Sequence, residues 1–342
     1  MATIRDKGPY QWQAIIRRVG FPQQSKTFER KVDAEQWARN IEGEMDRGIF
    51  VDRSPLEKKT FGDLVKQYGE EITPAKRGGD KEQSKIKFLK TIKLAKIPLI
   101  RIEPADIVDF RIARLKQVSA STVIKEMNLI SNIFAVAISE WRLRGLTNPV
   151  LGIRRPPAPK GRDRRLESGE EMERIIDASE SSILKILIPI AVETAMRRGE
   201  MVSIKWRHVN LANATIRLFD TKNGEDRTVP LSVRAVALIK GIKRDGDEVF
   251  GIRPNSVTQA FTRARNRARK IYEQECKDEG IAANDSYLLD LRLHDMRHEG
   301  TSRLVEKGLS VSEVSEITGH KDLKQLKRYT HLRAHELAKK LG

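Results

Sequence analysis

The sequence predicts a multidomain α+β protein that is mainly α-helical and carries small β-sheets. Its 342 residues are enough for two or three domains with at least one sizeable core. Apolar residues make up 39% of the chain and charged residues 33%, which is typical of a soluble globular protein. The residue pattern changes from strand-like to helical near residue 60, and a proline-rich basic stretch then separates two helical parts. These changes place the domain boundaries.

Residues 1–58 are predicted to form a small β-sheet with one helix. The strand-like stretches "ATIRD", "YQWQAIIRRV" and "SKTFER" are separated by breaks at Gly8 and Pro9 and at Gly20. A helix follows, for which Asp33 is the predicted N-cap. Three short strands and one helix enclose too small a core for an enzyme, so we expect a binding module.

Residues 59–152 have a wholly helical pattern. Thr60 is the predicted N-cap of the first helix, and Ser121 is that of a later, more apolar helix. Ile130 and Phe134 recur at helical spacing in this later helix, as expected for a face that packs into a core. This segment is therefore predicted to be a separate helical domain.

The stretch "IRRPPAPKGRDRR", residues 153–165, is predicted to be an extended basic linker. Its three prolines disfavour helix, and its six basic residues repel one another. A plain spacer would not need so much positive charge. Contact with phosphate groups therefore explains the composition better.

Residues 166–342 are predicted to form one mixed, mainly helical domain. The stretches "ATIRLF" and "RTVPLS" predict a β-hairpin around Asn223 and Gly224, the strongest short hairpin signal available. Further on, Ser256 is the predicted N-cap of a long helix. The apolar face of that helix would consist of Phe261, Ala264, Ala268 and Ile271. Its arginines would then face outward, either into a DNA major groove or into solvent.

The net charge of +18 predicts a polyanionic partner, most commonly nucleic acid, with a merely cationic soluble protein as the alternative. No apolar run reaches the ~18 residues that cross a bilayer. The first residues lack a signal-peptide core, so we expect a cytoplasmic, nucleoid-associated protein without a membrane partner. The candidate DNA contacts are Arg154, Arg155, Lys160, Arg162, Arg164, Arg165, Arg263, Arg265, Arg267, Arg269 and Lys125.

Four stretches of the last domain place a basic or hydroxyl-bearing residue at the edge of an apolar element. They are "ETAMRRGEMVSIKW" with Arg197, "DTKNGEDRTVPL" with Lys222, "LHDMRHEGTSRLVEKG" with His294 and Arg297, and "HKDLKQLKRYTHL" with His320 and Tyr329. Arg197 directly follows a helix predicted to be buried, so its charge needs an anion. Glu200, three residues further on, could orient it.

The histidines allow a metal interpretation of this domain. His294 and His298 are four residues apart, like the histidines of the zinc-protease helix, and His320 could be a third ligand. However, Asp295 stands where a general-base glutamate is required, and Arg297 would put a permanent cation beside Zn²⁺. The single cysteine also excludes a cysteine-built zinc site. A zinc hydrolase is therefore the weaker interpretation, and no metal or other cofactor is expected.

The stronger interpretation is phosphoryl transfer without a metal. Arg197 and Arg297 would bind the non-bridging oxygens of a phosphodiester. His294 and His320 would donate hydrogen bonds to the same phosphate. These groups would stabilise the charge of the pentavalent phosphate, which is the task that a metal ion performs elsewhere.

Tyr329 would be the nucleophile of this reaction. Its attack on phosphorus would form a covalent 3′-phosphotyrosine. A phenol with a pKa near ~10 is a poor nucleophile at neutral pH, and nearby cations would favour the phenolate. Lys222, in the predicted hairpin turn, would protonate the departing 5′ oxygen.

The stretches "TAMRRGEM", "TKNGEDRTVPL", "LHDMRHEGTSRL" and "ITGHKDLKQLKRYTHL" resemble the catalytic boxes of the tyrosine recombinases, the phage integrase family. The match covers the whole predicted catalytic domain, 166–342. The resemblance implies the catalytic residues Arg197, Lys222, His294, Arg297, His320 and Tyr329, with Glu200 in support. A lone tyrosine or histidine is more often a packing residue, but six such residues in this order are specific.

The resemblance extends in less detail to the rest of the chain. Residues 59–152 are similar to the helical core-binding domain of the family. Residues 1–58 resemble the arm-binding module of phage and conjugative-element integrases. The stretches "GRDRRL", "ETAMRRGE" and "LKRYTHLRA" resemble the shufflon-type DNA invertases. Integration or excision of a mobile element and DNA inversion therefore both stay open.

The resemblance implies a site-specific recombinase that needs neither metal nor ATP. Its partner would be double-stranded DNA at core sites and accessory arm sites, with DNA-bending or directionality factors as further partners. Strand exchange between two duplexes, each cut twice, implies a homotetramer at synapsis. The final stretch "HLRAHELAKKLG" is predicted to be an amphipathic helix that docks on a neighbouring protomer. The rival class is a DNA-binding architectural protein that keeps the fold without the chemistry.

Overall fold

The computed structural model describes residues 2–159, 164–167, 169–219 and 226–330. The chain divides into two compact units, Met1–Lys160 and Gly161–Gly342. The division falls inside the predicted linker. The amphipathic helix predicted after Thr330 lies outside the described residues.

The first unit begins with an antiparallel sheet in the strand order β1-β2-β3. The elements are β1 Thr3–Gly8, β2 Gln11–Ile16, β3 Gln24–Phe28 and helix α1 Lys31–Asp46. Trp12 of β2 pairs with Phe28 of β3, which sets the register of the second pair of strands. Ala14 and Ile16 face Ala34 and Ala38 of α1 in a small core. The predicted three strands and one helix are confirmed.

The remainder of the first unit is helical, as predicted. Its helices are α2 Ser54–Lys58, α3 Phe61–Glu71, α4 Gly79–Leu89, α5 Pro104–Leu115 and α6 Ala120–Ser139. Phe61 and Phe134 stack at the centre of its core, with ring centroids 5.3 Å apart. Helix α6 is long and apolar enough to cross a membrane, but half of its apolar window is buried (50%), as in a core helix.

The second unit combines a small sheet, of strand order β4-β5-β6, with most of the remaining helices. Its first elements are α7 Gly169–Asp177, α8 Ser182–Thr194, α9 Arg198–Val202, β4 Val209–Asn210, β5 Thr215–Leu218, β6 Arg227–Pro230 and α10 Val233–Lys240. Its later elements are α11 Pro254–Asp278, α12 Leu293–Glu306, α13 Val311–Thr318 and α14 Lys327–Thr330. Strands β5 and β6 pair from Thr215 with Pro230 to Leu218 with Arg227, which confirms the hairpin strands. The predicted turn around Asn223 and Gly224 lies outside the described residues.

The existence of the helices was predicted more accurately than the residues at which they begin. Thr60 caps α3 as predicted, because its side chain and that of Asp63 form a reciprocal capping box. For α1 the prediction was wrong: the helix begins at Lys31, and Asp33 lies in its first turn, where it accepts hydrogen bonds from Arg30. The other two helices also begin earlier than predicted, with Ser119 in place of Ser121 as the N-cap of α6 and Arg253 in place of Ser256 as that of α11.

Candidate active site

Side chains from several of the predicted catalytic stretches of the second unit meet at the C-terminal end of α13. Three arginine side chains donate to three consecutive carbonyl oxygens there: Arg227 to Ile317 (3.2 Å), Arg297 to Thr318 (2.8 Å) and Arg197 to Gly319 (2.9 Å). The last carbonyls of a helix have no partner within the helix and carry the negative end of its dipole. The end of α13 therefore fixes three cations in one place.

Gly319 allows this arrangement for two reasons. It has a φ of +69°, a left-handed conformation that ends α13 and that glycine adopts at little cost. A Cβ at this position would also lie only 2.6 Å from Nη1 of Arg227. The close approach of the arginine thus requires the absence of a side chain.

Glu200 bridges two of the three arginines, Arg197 and Arg227. It lies in the first turn of α9, where Arg197 is the N-cap. Its carboxylate accepts hydrogen bonds from Nη1 of Arg197 (2.8 Å) and from both Nη atoms of Arg227 (3.0 and 2.7 Å). Burial alone would raise the pKa of this carboxyl, but the hydrogen bonds and charges of Arg227 and then Arg197 lower it to about 2. Glu200 is therefore a carboxylate at every pH at which the protein is expected to work.

Arg297 is the most buried of the three arginines, with 4% of its surface exposed. Besides Thr318, its guanidinium donates to the carbonyl of Ala195 over 2.6 Å, at the end of α8. Burial and the charge of Arg197 lower its pKa, while Glu200 and Tyr329 act in the opposite direction. A guanidinium stays protonated in proteins, so the site holds a desolvated positive charge.

His320 follows Gly319 and lies against Arg297. Its Nε2 is 3.2 Å from Nη2 of Arg297, and its Nδ1 is 2.6 Å from the hydroxyl of Thr318. Arginine can only donate, so Nε2 must be the acceptor and Nδ1 must carry the proton. The Thr318 hydroxyl accepts from Nδ1 and donates to the carbonyl of Val314 over 2.6 Å. Burial, followed by the charges of Arg297 and Arg197, lowers the pKa of His320 to about 3, which agrees with this neutral form.

Helix α12 supplies His294, Arg297 and His298 to the cluster. The rings of His294 and His298 meet edge to face, with centroids 4.8 Å apart. His294 is largely exposed, yet partial burial of its ring and then the charges of His298 and Arg297 lower its pKa to about 4. The Nδ1 atom of His298 is hydrogen-bonded to the hydroxyl of Tyr329 on α14. Tyr329 is 6% exposed and packs against Val305, Val314 and Leu326.

Close packing holds α12 against α8. A Cβ at Gly300 would lie 2.2 Å from the carbonyl oxygen of Val192, so only glycine permits this contact. At the start of α12, Asp295 accepts a hydrogen bond from the backbone N–H of Arg292 over 2.8 Å. Asp295 thus caps the helix that carries the site.

Comparison with known proteins assigns the chain to a family. The model described as "Phage integrase family" matches residues 165–336. The shufflon-specific DNA recombinase of Escherichia coli is 33% identical over 298 residues, which cover 84% of this chain and 72% of that protein. The chain belongs to the phage integrase family. It is a tyrosine recombinase, an enzyme of site-specific DNA recombination.

Two further comparisons cover nearly the whole recombinase. A putative integrase/recombinase of Haemophilus influenzae (strain ATCC 51907 / DSM 11121 / KW20 / Rd) is 32% identical over 339 residues, which cover 94% of this chain and 85% of that protein. The crystal structure of a lambda integrase dimer bound to a COC′ core site matches with a TM-score of 0.63 and 20% identity, covering 95% and 93% of the two chains. The likeness to this structure shows the same fold.

The structure brings five of the six predicted catalytic residues of the recombinase into one cluster: Arg197, His294, Arg297, His320 and Tyr329. The sixth, Lys222, lies outside the described residues. Glu200 contacts Arg197, as its spacing suggested. The cluster is thus the candidate active site.

Sequence reasoning missed two members of the cluster. His298 was assigned no catalytic role, although its spacing of four residues from His294 puts both on one helix face. That spacing was used only for the zinc interpretation. Arg227 was not singled out, and nothing in its local sequence marks its partner Glu200, 27 residues away. Among the described residues, no group of three His, Cys, Asp or Glu side chains is arranged to share a metal ion.

The predicted linker arginines of the recombinase have different surroundings. Arg154 is exposed, whereas Arg155 donates to the carbonyls of Val150 (3.2 Å) and Ile153 (3.0 Å). Arg164 and Arg165 form ion pairs within the second unit, Arg164 with Glu171 (2.6 Å) and Arg165 with Glu299 (3.2 Å) and Glu306 (2.6 Å). Contact with phosphate remains a prediction for these four residues, and the ion pairs give Arg164 and Arg165 a structural role. Lys160 and Arg162 lie outside the described residues.

The arginines of α11 do not share one outward face. Arg263 is exposed, Arg267 pairs with Glu180, and Arg265 donates to the carbonyl of Leu291 over 2.8 Å. Arg269 donates to the carbonyls at 284 and 287 (2.6 and 2.7 Å). The predicted inward stripe is correct for Phe261, Ala264 and Ala268 and wrong for Ile271, which is 47% exposed. Among the described candidate DNA contacts, the exposed ones are Arg263, Lys125 of α6 and Arg154.

Proposed function

We propose that this recombinase cuts and rejoins DNA through a covalent 3′-phosphotyrosine formed at Tyr329. The observation that carries the proposal is the convergence of Arg197, Arg297 and His320 at the end of α13. The hydroxyl of Tyr329 is bonded to His298, the residue that follows Arg297 on α12. A nucleophile, two guanidinium groups and an imidazole therefore lie around one point.

The two guanidinium groups would bind the scissile phosphate. Arg197 directs one Nη to Glu200 and the other to Gly319, and its side chain remains 22% exposed, so further N–H groups can reach an anion. Its position is fixed before DNA arrives. Donors that need no rearrangement stabilise the charge of a transition state most effectively.

The reaction would be a transesterification. The Tyr329 oxygen attacks phosphorus, the bond from phosphorus to the 5′ oxygen breaks, and a proton is delivered to that oxygen. We assign this proton to Lys222. The 5′ hydroxyl of another strand then attacks the phosphotyrosine, which releases Tyr329 and restores a phosphodiester. The bond energy is conserved at each step, so no nucleotide hydrolysis is required.

The substrate would be double-stranded DNA, with four protomers at synapsis because two duplexes each receive two cuts. In the first unit, the helical part, 59–152, would bind core sites and the β-sheet module, 1–58, would bind arm sites. Exposed basic residues such as Arg154, Lys125 and Arg263 support phosphate contact. We place the recombinase on the cytoplasmic nucleoid, where DNA-bending or directionality factors would assist it.

Two outcomes of this chemistry have support. The similarity to the E. coli shufflon-specific recombinase favours DNA inversion, and the similarity over 94% of the chain to a putative integrase/recombinase favours integration. Plasmids that carry the target sites in inverted or direct orientation distinguish the two, because inversion and excision give different products.

The proposed chemistry is tested with a DNA substrate nicked next to the scissile phosphate, which traps the covalent intermediate. The wild-type protein should form an SDS-stable adduct in the presence of EDTA. Tyr329→Phe should form none while binding the same DNA. No adduct from the wild-type protein would favour the architectural protein, and loss of the adduct on chelation would favour the zinc hydrolase.

A further inference from the structure

The hydroxyl of Tyr329 has a hydrogen-bond partner outside the set of residues predicted to be catalytic. It is bonded to Nδ1 of His298, and the two rings lie 6.1 Å apart at an interplanar angle of 32°. His298 is half-buried on α12, directly after Arg297. Aliphatic side chains surround the ring of Tyr329. Its polar end is therefore oriented by an imidazole.

We propose that His298 holds the Tyr329 hydroxyl for attack and accepts its proton as the new bond to phosphorus forms. This assignment rests on the function proposed above and adds a proton acceptor to it. For Nδ1 to accept, the proton of the neutral ring must lie on Nε2.

The other imidazoles of the cluster are less suited to this task. Both ring nitrogens of His320 are engaged, Nε2 by Arg297 and Nδ1 by Thr318. His294 presents its ring edge to face with that of His298 rather than a nitrogen to the hydroxyl. Among the described contacts, His298 supplies the imidazole nitrogen that is bonded to Tyr329.

The proton balance of the step is complete. The bond from Tyr329 oxygen to phosphorus forms, the bond from phosphorus to the 5′ oxygen breaks, and the phenol proton moves to Nδ1 of His298. A second proton passes from the general acid to the 5′ oxygen. In rejoining, the 5′ hydroxyl attacks phosphorus and gives its proton back to the deprotonated general acid, while the tyrosyl bond breaks and His298 returns its proton to Tyr329. Phenol is a weaker acid than protonated imidazole, so the proton moves to His298 only as the bond to phosphorus forms. Arg297 stabilises the negative charge that develops on the Tyr329 oxygen.

Two substitutions separate holding from proton acceptance. His298→Asn keeps a hydrogen-bonding atom near the position of Nδ1 but cannot take up a proton at neutral pH, and His298→Ala removes both properties. The measurement is the rate of adduct formation at saturating DNA, together with the DNA affinity and the melting temperature. His208→Asn, at a histidine that contacts Phe219 away from the cluster, is the matched control.

Both His298 variants should lose about 100-fold or more in rate, as removal of a general base does, with unchanged DNA affinity. A substrate with sulfur in place of the bridging 5′ oxygen needs no protonation of the leaving group. It should restore the rate of Lys222→Ala and leave both His298 variants slow, which separates proton acceptance at Tyr329 from protonation of the leaving group. An unchanged melting temperature and DNA affinity would exclude a structural defect.

Two results would overturn the assignment. If His298→Asn reacts within a few-fold of the wild-type rate, His298 is not the proton acceptor. If the sulfur substrate restores the His298 variants, His298 acts on the leaving group. The proposed function would fail in a different way, through an absent wild-type adduct or an adduct that persists in Tyr329→Phe.

Discussion

Arg227 and Glu200 form a bidentate ion pair, with Nη1 of Arg227 3.0 Å from Oε1 of Glu200 and Nη2 2.7 Å from Oε2. Both side chains are nearly buried, with 9% and 8% of their surfaces exposed. The pair joins the first residue of β6 to the first turn of α9, and Arg227 also donates to the end of α13. Strand β6 is thereby tied to the elements that hold Arg197 and His320.

Arg227→Ala should lower the free energy of unfolding by about 3–5 kcal/mol, because it leaves a buried carboxylate with fewer partners. Urea denaturation measures this loss. Arg217→Ala is the matched control on the same hairpin, since that arginine is 62% exposed and lies 3.7 Å from Asp226. It should cost at most about 1 kcal/mol. Equal losses in the two variants would contradict a special role of Arg227.

Gly300→Ala should destabilise the second unit and slow adduct formation. The added methyl group would lie 2.2 Å from the carbonyl oxygen of Val192, so α12 must move away from α8. Overpacking of this kind costs about 1–3 kcal/mol or more. Thermal melting and the adduct assay measure the two effects. Gly199→Ala, where an added Cβ would meet nothing within 4 Å, is the control for stability. A Gly300→Ala protein that melts like wild type would show that the helices do not pack as described.

The stability of the protein should decrease below pH 6.5, in part because of His320. Its pKa is lowered from 6.5 to about 3 on folding, so the unfolded chain binds a proton that the folded chain does not. Stability then falls as the pH falls from 6.5 toward 3, by up to about 1.4 kcal/mol per pH unit for one proton.

Glu200 affects stability over a lower pH range than His320, because its pKa is lowered from 4.5 to about 2. Its contribution is complete above pH 4.5 and is lost as the pH falls through 2.

His320→Gln should therefore reduce the slope of unfolding free energy against pH between 6.5 and 4.5, measured by urea denaturation at each pH. Identical slopes for the variant and the wild type would mean that His320 is not held neutral by its surroundings.

Replacement of Arg165 and of Arg263 by alanine should have different effects on stability and DNA binding. Arg165→Ala breaks the ion pairs with Glu299 and Glu306 and should lower stability. Arg263→Ala should leave stability unchanged and weaken DNA binding, reducing the slope of log affinity against log salt by about one. Filter binding across a salt series measures this slope. If Arg263→Ala leaves the slope unchanged, Arg263 makes no phosphate contact.

The sequence predicted what depends on local pattern. The three strands before Asp33, the hairpin strands around Asn223 and the capping role of Thr60 follow from residue types that are close together in the chain. The clustering of Arg197, Arg297, His320 and Tyr329 was expected from a family resemblance, which carries tertiary information that composition does not. In both cases the necessary signal was present in the sequence.

The remaining features depend on partners that are distant in sequence. Arg227 acquires its role from Glu200 and Ile317, and Arg165 acquires its role from Glu299, 134 residues away. His298 was given no catalytic role, since α14 brings Tyr329 to it only in the folded protein. Predicted helix starts failed where a nearby residue, such as Ser119 in place of Ser121, provided the better cap.

The account depends most on the identity of the nucleophile, and identification of the DNA-bearing residue tests it most directly. The adduct formed with the nicked substrate can be digested with protease, and the peptide that carries the nucleotide can be sequenced by mass spectrometry. The chain has five tyrosines, and the account predicts that the modified residue is Tyr329. A nucleotide attached to Tyr10, Tyr68, Tyr272 or Tyr287, or to a residue that is not tyrosine, would contradict it.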